Sequence, residues 1–217
     1  RFVYSASHDL RSPLASIMGL INVARADNGS PQVDYLGLIE KSVVKLDSFI
    51  NDIIDFSRNA RLDVAAEPIE FGTMLKDVFE DLNFVEQYEK IQRSVFVRST
   101  RSFRSDPKRV RIILSNLVAN AIKHHFPAQR NNPFVSIEVV DDKDGIIVTV
   151  SDNGPGIEQQ YLKDIFKMFF RATNRTPGSG LGLYIVEETV NKLRGSISVA
   201  STLGEGTTFT LKLPNLN

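Results

Sequence analysis

Asp106-Pro107-Lys108-Arg109-Val110-Arg111-Ile112-Ile113-Leu114-Ser115-Asn116-Leu117-Val118-Ala119-Asn120-Ala121-Ile122-Lys123-His124 writes two helical faces into one segment. Asp106 has N-cap chemistry and Pro107 suits a first helical turn, which predicts a long helix from Pro107 to about His125. Val110, Ile113, Leu114, Leu117 and Ala121 make its core face. Asn116, Asn120 and Lys123 recur at four- and three-residue spacing and share a different face. Two amides and an ammonium in line have the chemistry to ligate an octahedral cation and contact phosphate. A solvated polar face has the same spacing, and spacing alone does not separate the two.

Working outward from this helix, the pattern alternates between strand and helix. Ile69 to Phe71 reads as a short strand, Thr73 to Glu86 as a helix, and Ser94 to Arg98 as a strand. Val135 to Val140 and Ile146 to Val150 are strands joined by a hairpin turn at Asp141 to Gly145. Leu181 to Leu193 reads as a helix, and Ser196 to Ala200 and Thr207 to Leu213 as strands with Gly204 and Gly206 in the turn. Adjacent hairpin strands with interspersed helices predict an α/β sandwich, a mixed sheet covered by helices on one face.

Two further stretches carry chemistry. The strand ending at Ser151 runs into Asp152-Asn153-Gly154-Pro155-Gly156-Ile157. A carboxylate at a strand end accepts hydrogen bonds, which suits an exocyclic amine, and the glycines let backbone approach a ligand closely. A plain polar turn has the same composition. Gly178-Ser179-Gly180-Leu181-Gly182-Leu183 opens a helix, where exposed amides bind anions. No strand immediately precedes it, as the Rossmann fingerprint requires, and the chain has no P-loop motif.

The first sixty residues are different in kind. Val3, Ser7, Leu10, Leu14, Ile17, Ile21 and Ala24 recur at alternating three- and four-residue spacing. Asp27 to Pro31 breaks the pattern, and Leu36, Ile39, Val43, Leu46, Ile50 and Ile53 resume it. Two helices, 2 to 26 and roughly 32 to 60, form an antiparallel hairpin. Each stripe is wider than one partner helix covers, which predicts a homodimer forming a four-helix bundle; the alternative is a hairpin packed on its own C-terminal domain. The stripe turns His8 toward solvent, and Pro13 sits inside the first helix, where proline removes a backbone bond. A linker is expected at residues 58 to 68, dividing a domain 1–62 from a domain 63–217. The fold class is thus α+β: the dimeric helical hairpin, then the α/β sandwich.

Composition sets limits. Lys plus Arg and Asp plus Glu both number 26 in 217 residues, so the chain is formally neutral and is not a globally basic nucleic-acid binder. There is no Cys, which excludes disulfides, thiolate metal sites and a thiol nucleophile. No apolar run approaches the ~20 residues of a membrane span. The chain starts at Arg1, in mid-pattern, and reads as a piece of something longer.

The order of these stretches resembles the cytoplasmic kinase core of bacterial two-component sensor histidine kinases, over nearly the whole chain. Ser7-His8-Asp9-Leu10-Arg11-Ser12-Pro13-Leu14 is similar to the H-box, Asn116 to His124 to the N-box and Asp152 to Ile157 to the first glycine box. Phe166 to Phe170 with Arg171 resembles the F-box region and Gly178 to Leu183 the second glycine box. The resemblance implies a dimerisation and phosphotransfer hairpin followed by a Bergerat-fold ATP-binding domain. It makes His8 the phosphoacceptor, Asp9 its general base, and Ser12 a hydroxyl able to orient water for phosphatase chemistry. It gives Asn120 the Mg²⁺, and Asn116 and Lys123 a share in metal and phosphate contacts. Asp152, with Gly154 and Gly156, takes the adenine amine, and His124 forms a wall of the nucleotide site. Arg171, Gly178, Ser179, Gly180, Leu181 and Gly182 surround the phosphates of ATP.

The implied partners are a second copy of the chain, a response-regulator receiver domain and an upstream sensor domain, with no nucleic acid. The implied place of this piece is the cytoplasm, in a full-length protein with membrane anchoring as an option. The chain departs from the pattern at Met168, where many members carry Arg. His125 reads as a helix-end histidine complementing the dipole. Two alternatives accompany this reading: a catalytically weak nucleotide-binding signalling scaffold, and an ATPase of the same fold. The ATPases need Glu four residues before the metal-binding Asn, and here Asn116 stands there.

Overall fold

A computed structural model describes residues 2–27, 33–83, 88–125, 132–172 and 179–216. Within the helices, the side chains of residues 2–9, Ser48, Asp55, Arg58 and Ala60 are not described. By their contacts the residues fall into two compact units, one ending at Ser57 and also taking in Ser179, the other beginning at Arg58.

The first unit is helical. Helix α1 (Phe2–Ala26) runs unbroken through Pro13. Helix α2 (Tyr35–Arg61) is capped by Asp34, whose Oδ1 accepts from the Gly37 amide at 2.8 Å. The Tyr35 hydroxyl donates to Asp27 Oδ2 at 2.7 Å and ties the start of α2 to the end of α1. Much of the apolar stripe stays uncovered within one chain: Leu14, Val43 and Ile50 are 49%, 49% and 41% exposed. An apolar surface of this kind marks an interaction face.

The second unit is the α/β sandwich. Its elements are β1 (Glu67–Pro68), α3 (Phe71–Asp81), β2 (Gln92–Val97), β3 (Arg104–Ser105), α4 (Pro107–Lys123), β4 (Phe134–Asp142), β5 (Gly145–Asp152), α5 (Gly182–Lys192), β6 (Ser196–Thr202) and β7 (Gly206–Pro214). The main sheet has the order β2-β4-β5-β7-β6; β2 and β4 are parallel and the other pairs antiparallel. Along β4 and β5, Val135, Ile137, Val139, Ile146, Val148 and Val150 are buried, and their alternate neighbours are half-covered. The buried face meets Val110, Ile113, Leu114, Leu117 and Val118 of α4 and Val186 and Val190 of α5 in one core. This is the one-sided layering that the strand and helix periods predict.

Three local expectations change. Ile69 to Phe71 is not a strand: the strand is β1, which pairs with β3, and Phe71 already opens α3. Ile69 and Phe71 are apolar because both are buried in the core. The helix expected to reach Glu86 ends at Asp81, where the amides of Leu82 and Asn83 close tight turns on Phe79 and Glu80. The helix expected to reach His125 ends at Lys123, and the His125 amide turns back to the Ile122 carbonyl.

The segment read as linker is held to the second unit. Asp106 caps α4 by accepting from the Arg109 amide at 3.0 Å, and its other oxygen accepts from the Ala65 amide at 3.2 Å. Arg109 is buried and spreads its guanidinium over Asn59 Oδ1 (2.9 Å), the Leu62 carbonyl (2.6 Å), the Asp63 carbonyl (3.1 Å) and Asp106 Oδ2 (2.5 Å). Burial alone would raise the Asp106 pKa, but the Arg109 and Ala65 amides and the Arg109 charge outweigh it and hold the carboxyl below its usual value. The last residues of α2 thereby belong to the second unit, which is why the contact boundary falls at Ser57 rather than near 62.

Candidate active site

The amide face of α4 meets the opening of α5. Asn116 Nδ2 donates to the Ile112 carbonyl one turn back at 2.9 Å, which fixes the amide and leaves Oδ1 facing Gly182. A Cβ on Gly182 would stand 2.7 Å from that oxygen, so glycine is what lets the two elements close. Asn120 and Lys123 follow on the same face, both half-buried. The N-cap residue of α5, Leu181, makes no side-chain capping bond.

Asp152 closes β5. Its Oδ1 accepts from the Gly154 amide at 2.8 Å. Burial raises its pKa, and the Gly154 amide, the His125 charge and the Thr207 amide oppose the rise. The turn after it is anchored from several sides. Asn153 accepts from the Phe134 amide at 2.8 Å and donates to the Asn132 carbonyl at 3.0 Å. Gly156, at φ +70°, passes so close to β6 that a Cβ would lie 2.1 Å from the Thr202 carbonyl oxygen.

His124 and His125 lie just past α4. Burial depresses the His124 pKa, and Lys123, Arg171 and His125 push it further down, so this ring stays neutral at pH 7. Arg171 is exposed on the stretch after Phe166 to Phe170. That stretch docks on the second glycine-rich segment: the Phe169 amide donates to the Gly180 carbonyl at 3.0 Å. Phe166 packs edge-on to Phe209 at 6.3 Å, and Phe170 lies 5.8 Å from Tyr161.

The second unit therefore brings together Asn116 with Gly182, Asp152 with Gly154, His124 with Arg171, and Gly180 with the Phe stretch. Leu181 is buried. Gly178 lies outside the described residues, as do the side chains of His8 and Asp9. Ser179 groups with the helical unit. Ser12 is exposed on α1, its carbonyl accepting from the Ser16 hydroxyl at 3.1 Å. His125 stands at the end of α4, where a helix-end histidine was expected. It is 5% exposed, and its Nε2 faces the Phe134 carbonyl of β4 at 2.9 Å. The one available signal was an apolar strand end at Phe134 able to cover it.

Comparison with known proteins gives the family. Residues 105–217 match the family described as "Histidine kinase-, DNA gyrase B-, and HSP90-like ATPase", and residues 1–61 match the "His Kinase A (phospho-acceptor) domain". Sensor protein GacS of Pseudomonas syringae pv. syringae is 35% identical over 98% of this chain, which spans 25% of GacS. A crystal structure of full-length ShkA in complex with AMPPNP superposes with a TM-score of 0.69 at 25% identity, over 84% of this chain and 38% of ShkA. A crystal structure of the histidine kinase ThkA in complex with response regulator protein TrrA has the same fold, with a TM-score of 0.76 at 19% identity over 99% of this chain and 61% of that one. The chain spans about a quarter of the length of the curated relative it matches. It belongs to the histidine kinase-, DNA gyrase B- and HSP90-like ATPase family, as the core of a sensor histidine kinase.

Proposed function

We propose that this chain autophosphorylates His8 from Mg-ATP and passes the phosphoryl group to an aspartate of a response-regulator receiver domain. The observation that carries the reading is the closure of Asn116 on Gly182, which sets the amide-bearing face of α4 against the opening of α5.

Each part has a chemical task. The Asp152 carboxylate accepts from the adenine amine, and the neutral His124 ring walls the base. Lys123, Arg171 and the amides opening α5, with Ser179, Gly180 and Gly178, meet the phosphates. Asn120 would hold Mg²⁺ through its amide oxygen, with Asn116 beside it. The donor set fits that ion. A side-chain amide oxygen is a hard oxygen ligand, and Mg²⁺ is ordinarily held by few protein oxygens together with water and substrate phosphates. When bound, the ion neutralises charge on the transferred phosphate.

A neutral imidazole nitrogen of His8 attacks the γ-phosphorus and the bond to the ADP oxygen breaks. Asp9 takes the ring proton, and ADP leaves. The phosphoramidate then yields its phosphoryl group to the receiver carboxylate and His8 is regenerated; Ser12 orients water for hydrolysis of the aspartyl phosphate, which releases inorganic phosphate. The hairpin serves as the interface of a homodimer, an upstream sensor sets the activity, and the core works in the cytoplasm, where ATP is. Among the described residues no helix is long and apolar enough to cross a membrane.

The test is γ-labelled ATP. Acid-labile, base-stable label is expected on the wild-type chain and absent from His8→Gln; label retained by that variant would overturn the assignment. The ATPase reading is disfavoured because the Asn116 amide is not a base and is already committed to the Ile112 carbonyl.

A further inference from the structure

The far end of α5 opens on a groove that the nucleotide chemistry does not use. Its volume is about 570 Å³, within the range of ligand pockets. Its walls are the stretch 63–66, the end of α5 at Lys192 and Arg194, and Asn215 and Leu216 after β7. Helix α5 is 11 residues long, so about 15 Å of helix separates this groove from Gly182.

The walls are fixed by their own bonds. The Arg104 guanidinium donates to the Ala66 carbonyl at 2.8 Å, its amide donates to Asn215 Oδ1 at 2.7 Å, and its carbonyl accepts from the Leu216 amide at 2.9 Å. Val64 and Leu216 are half-buried and rest on the core, which gives the groove an apolar floor. Lys192 and Arg194 are exposed, and among the described residues neither side chain has an ion-pair or hydrogen-bond partner.

Arg194 also sits in a backbone that its side chain disfavours. Its φ is +58°, the left-handed region where glycine or asparagine usually ends a helix. The Arg194 amide donates to the Asn191 carbonyl at 3.0 Å and the Gly195 amide to the Val190 carbonyl at 2.9 Å, so this helix end requires that conformation. A long side chain held there against its preference indicates a task for the side chain.

We propose that the groove docks a short acidic segment of a partner protein, with its apolar side chains on Val64 and Leu216 and its carboxylates on Lys192 and Arg194. A small anion is the poorer fit. Exposed cations hold a single charge weakly, and the apolar floor would go unused. Asp63, on the 63–66 wall, repels carboxylates there and so directs them to the end of α5. The proposal does not depend on the ATP reading.

The probe is the peptide Glu-Leu-Glu-Glu-Leu-Glu with blocked termini, followed by ¹H–¹⁵N amide shifts of the chain. The controls are Lys-Leu-Lys-Lys-Leu-Lys and inorganic phosphate. The acidic peptide is expected to give saturable shifts at Val64, Arg194 and Leu216 that weaken as salt rises. Lys192→Glu combined with Arg194→Glu should weaken binding about tenfold. Arg194→Gly separates binding from structure. Glycine adopts this φ freely, so the melting temperature should rise while peptide affinity falls several-fold. A lower melting temperature in Arg194→Gly, or unchanged affinity, overturns the role of Arg194. Equal shifts with phosphate or the basic peptide, or no shifts at these amides with the acidic one, overturn the proposal.

Discussion

The Arg109 guanidinium holds the Leu62 carbonyl at 2.6 Å across 47 residues of sequence. Together with its bonds to Asn59 and Asp63, this carries the end of α2 with the nucleotide unit. Arg109 and Asp106 form a buried ion pair, both below a tenth exposed. Removing one partner strands the other charge in the interior. Arg109→Ala should therefore destabilise the second unit by about 3–5 kcal/mol, read as a fall in the denaturant midpoint. Arg109→Lys should recover little, because one ammonium does not reproduce the planar fork. The Ala65 amide, bonded to Asp106, should exchange with solvent faster in Arg109→Ala.

The contact between Asn116 and Gly182 separates stability from binding. Gly182→Ala puts a methyl 2.7 Å from Asn116 Oδ1. Alanine is the better helix former by up to about 1 kcal/mol, so the melting temperature should change little. The Asn116 amide must swing away from its bond to Ile112, and nucleotide affinity should fall several-fold. Calorimetry beside thermal unfolding checks both halves. Gly156→Ala is the contrasting case: its Cβ would meet fixed backbone at 2.1 Å with φ at +70°, and there the fold itself should lose stability.

These residues also show what the sequence made legible. Helix α4 was readable because Asp106, Pro107 and a regular apolar spacing agree on one element. The meaning of Asn116 and Asn120 was not readable from spacing, since only Gly182, 62 positions or more away in the chain, gives that face an occupant to point at. Strands β1 and β3 are two residues each, too short for any period to register. Arg109 carries no periodic signal, yet it is buried, because its partners are backbone carbonyls that no pattern of side chains announces. The burial of His125 was not readable for a related reason: its environment is set by the start of β4, which follows six residues outside the described ones.

The exposed stripe of the hairpin predicts an association constant that mutation can move. Val43 and Ile50 lie on the apolar stripe of α2 and are 49% and 41% exposed in a single chain. Burying each contributes about 1.5–3 kcal/mol. Replacing both by Glu should weaken a dimer by at least about a hundredfold, seen by sedimentation equilibrium. The nucleotide unit should keep its ADP affinity, because neither residue belongs to it. A wild-type chain that sediments as a monomer at micromolar concentration would exclude the bundle.

Asp152 makes two pH predictions of opposite sign. Its pKa is raised in the folded chain, chiefly by burial, while the Gly154 amide, His125 and the Thr207 amide resist the rise. The folded state therefore holds a proton that the unfolded state has released, over the window from the ordinary carboxylate value of about 3.9 up to the raised one. Across that window the free chain should lose stability as pH increases. Nucleotide binding runs the other way, because an adenine amine needs the unprotonated acceptor. Affinity should drop as pH falls through the raised pKa, above the range where an ordinary Asp titrates. Asp152→Asn tests both: it keeps an oxygen for the Gly154 amide, should flatten this part of the stability profile, and should bind ADP weakly at every pH. The His125→Ala variant at the same pH values separates the carboxylate from the neighbouring ring, since an acid limb that persists there belongs to Asp152.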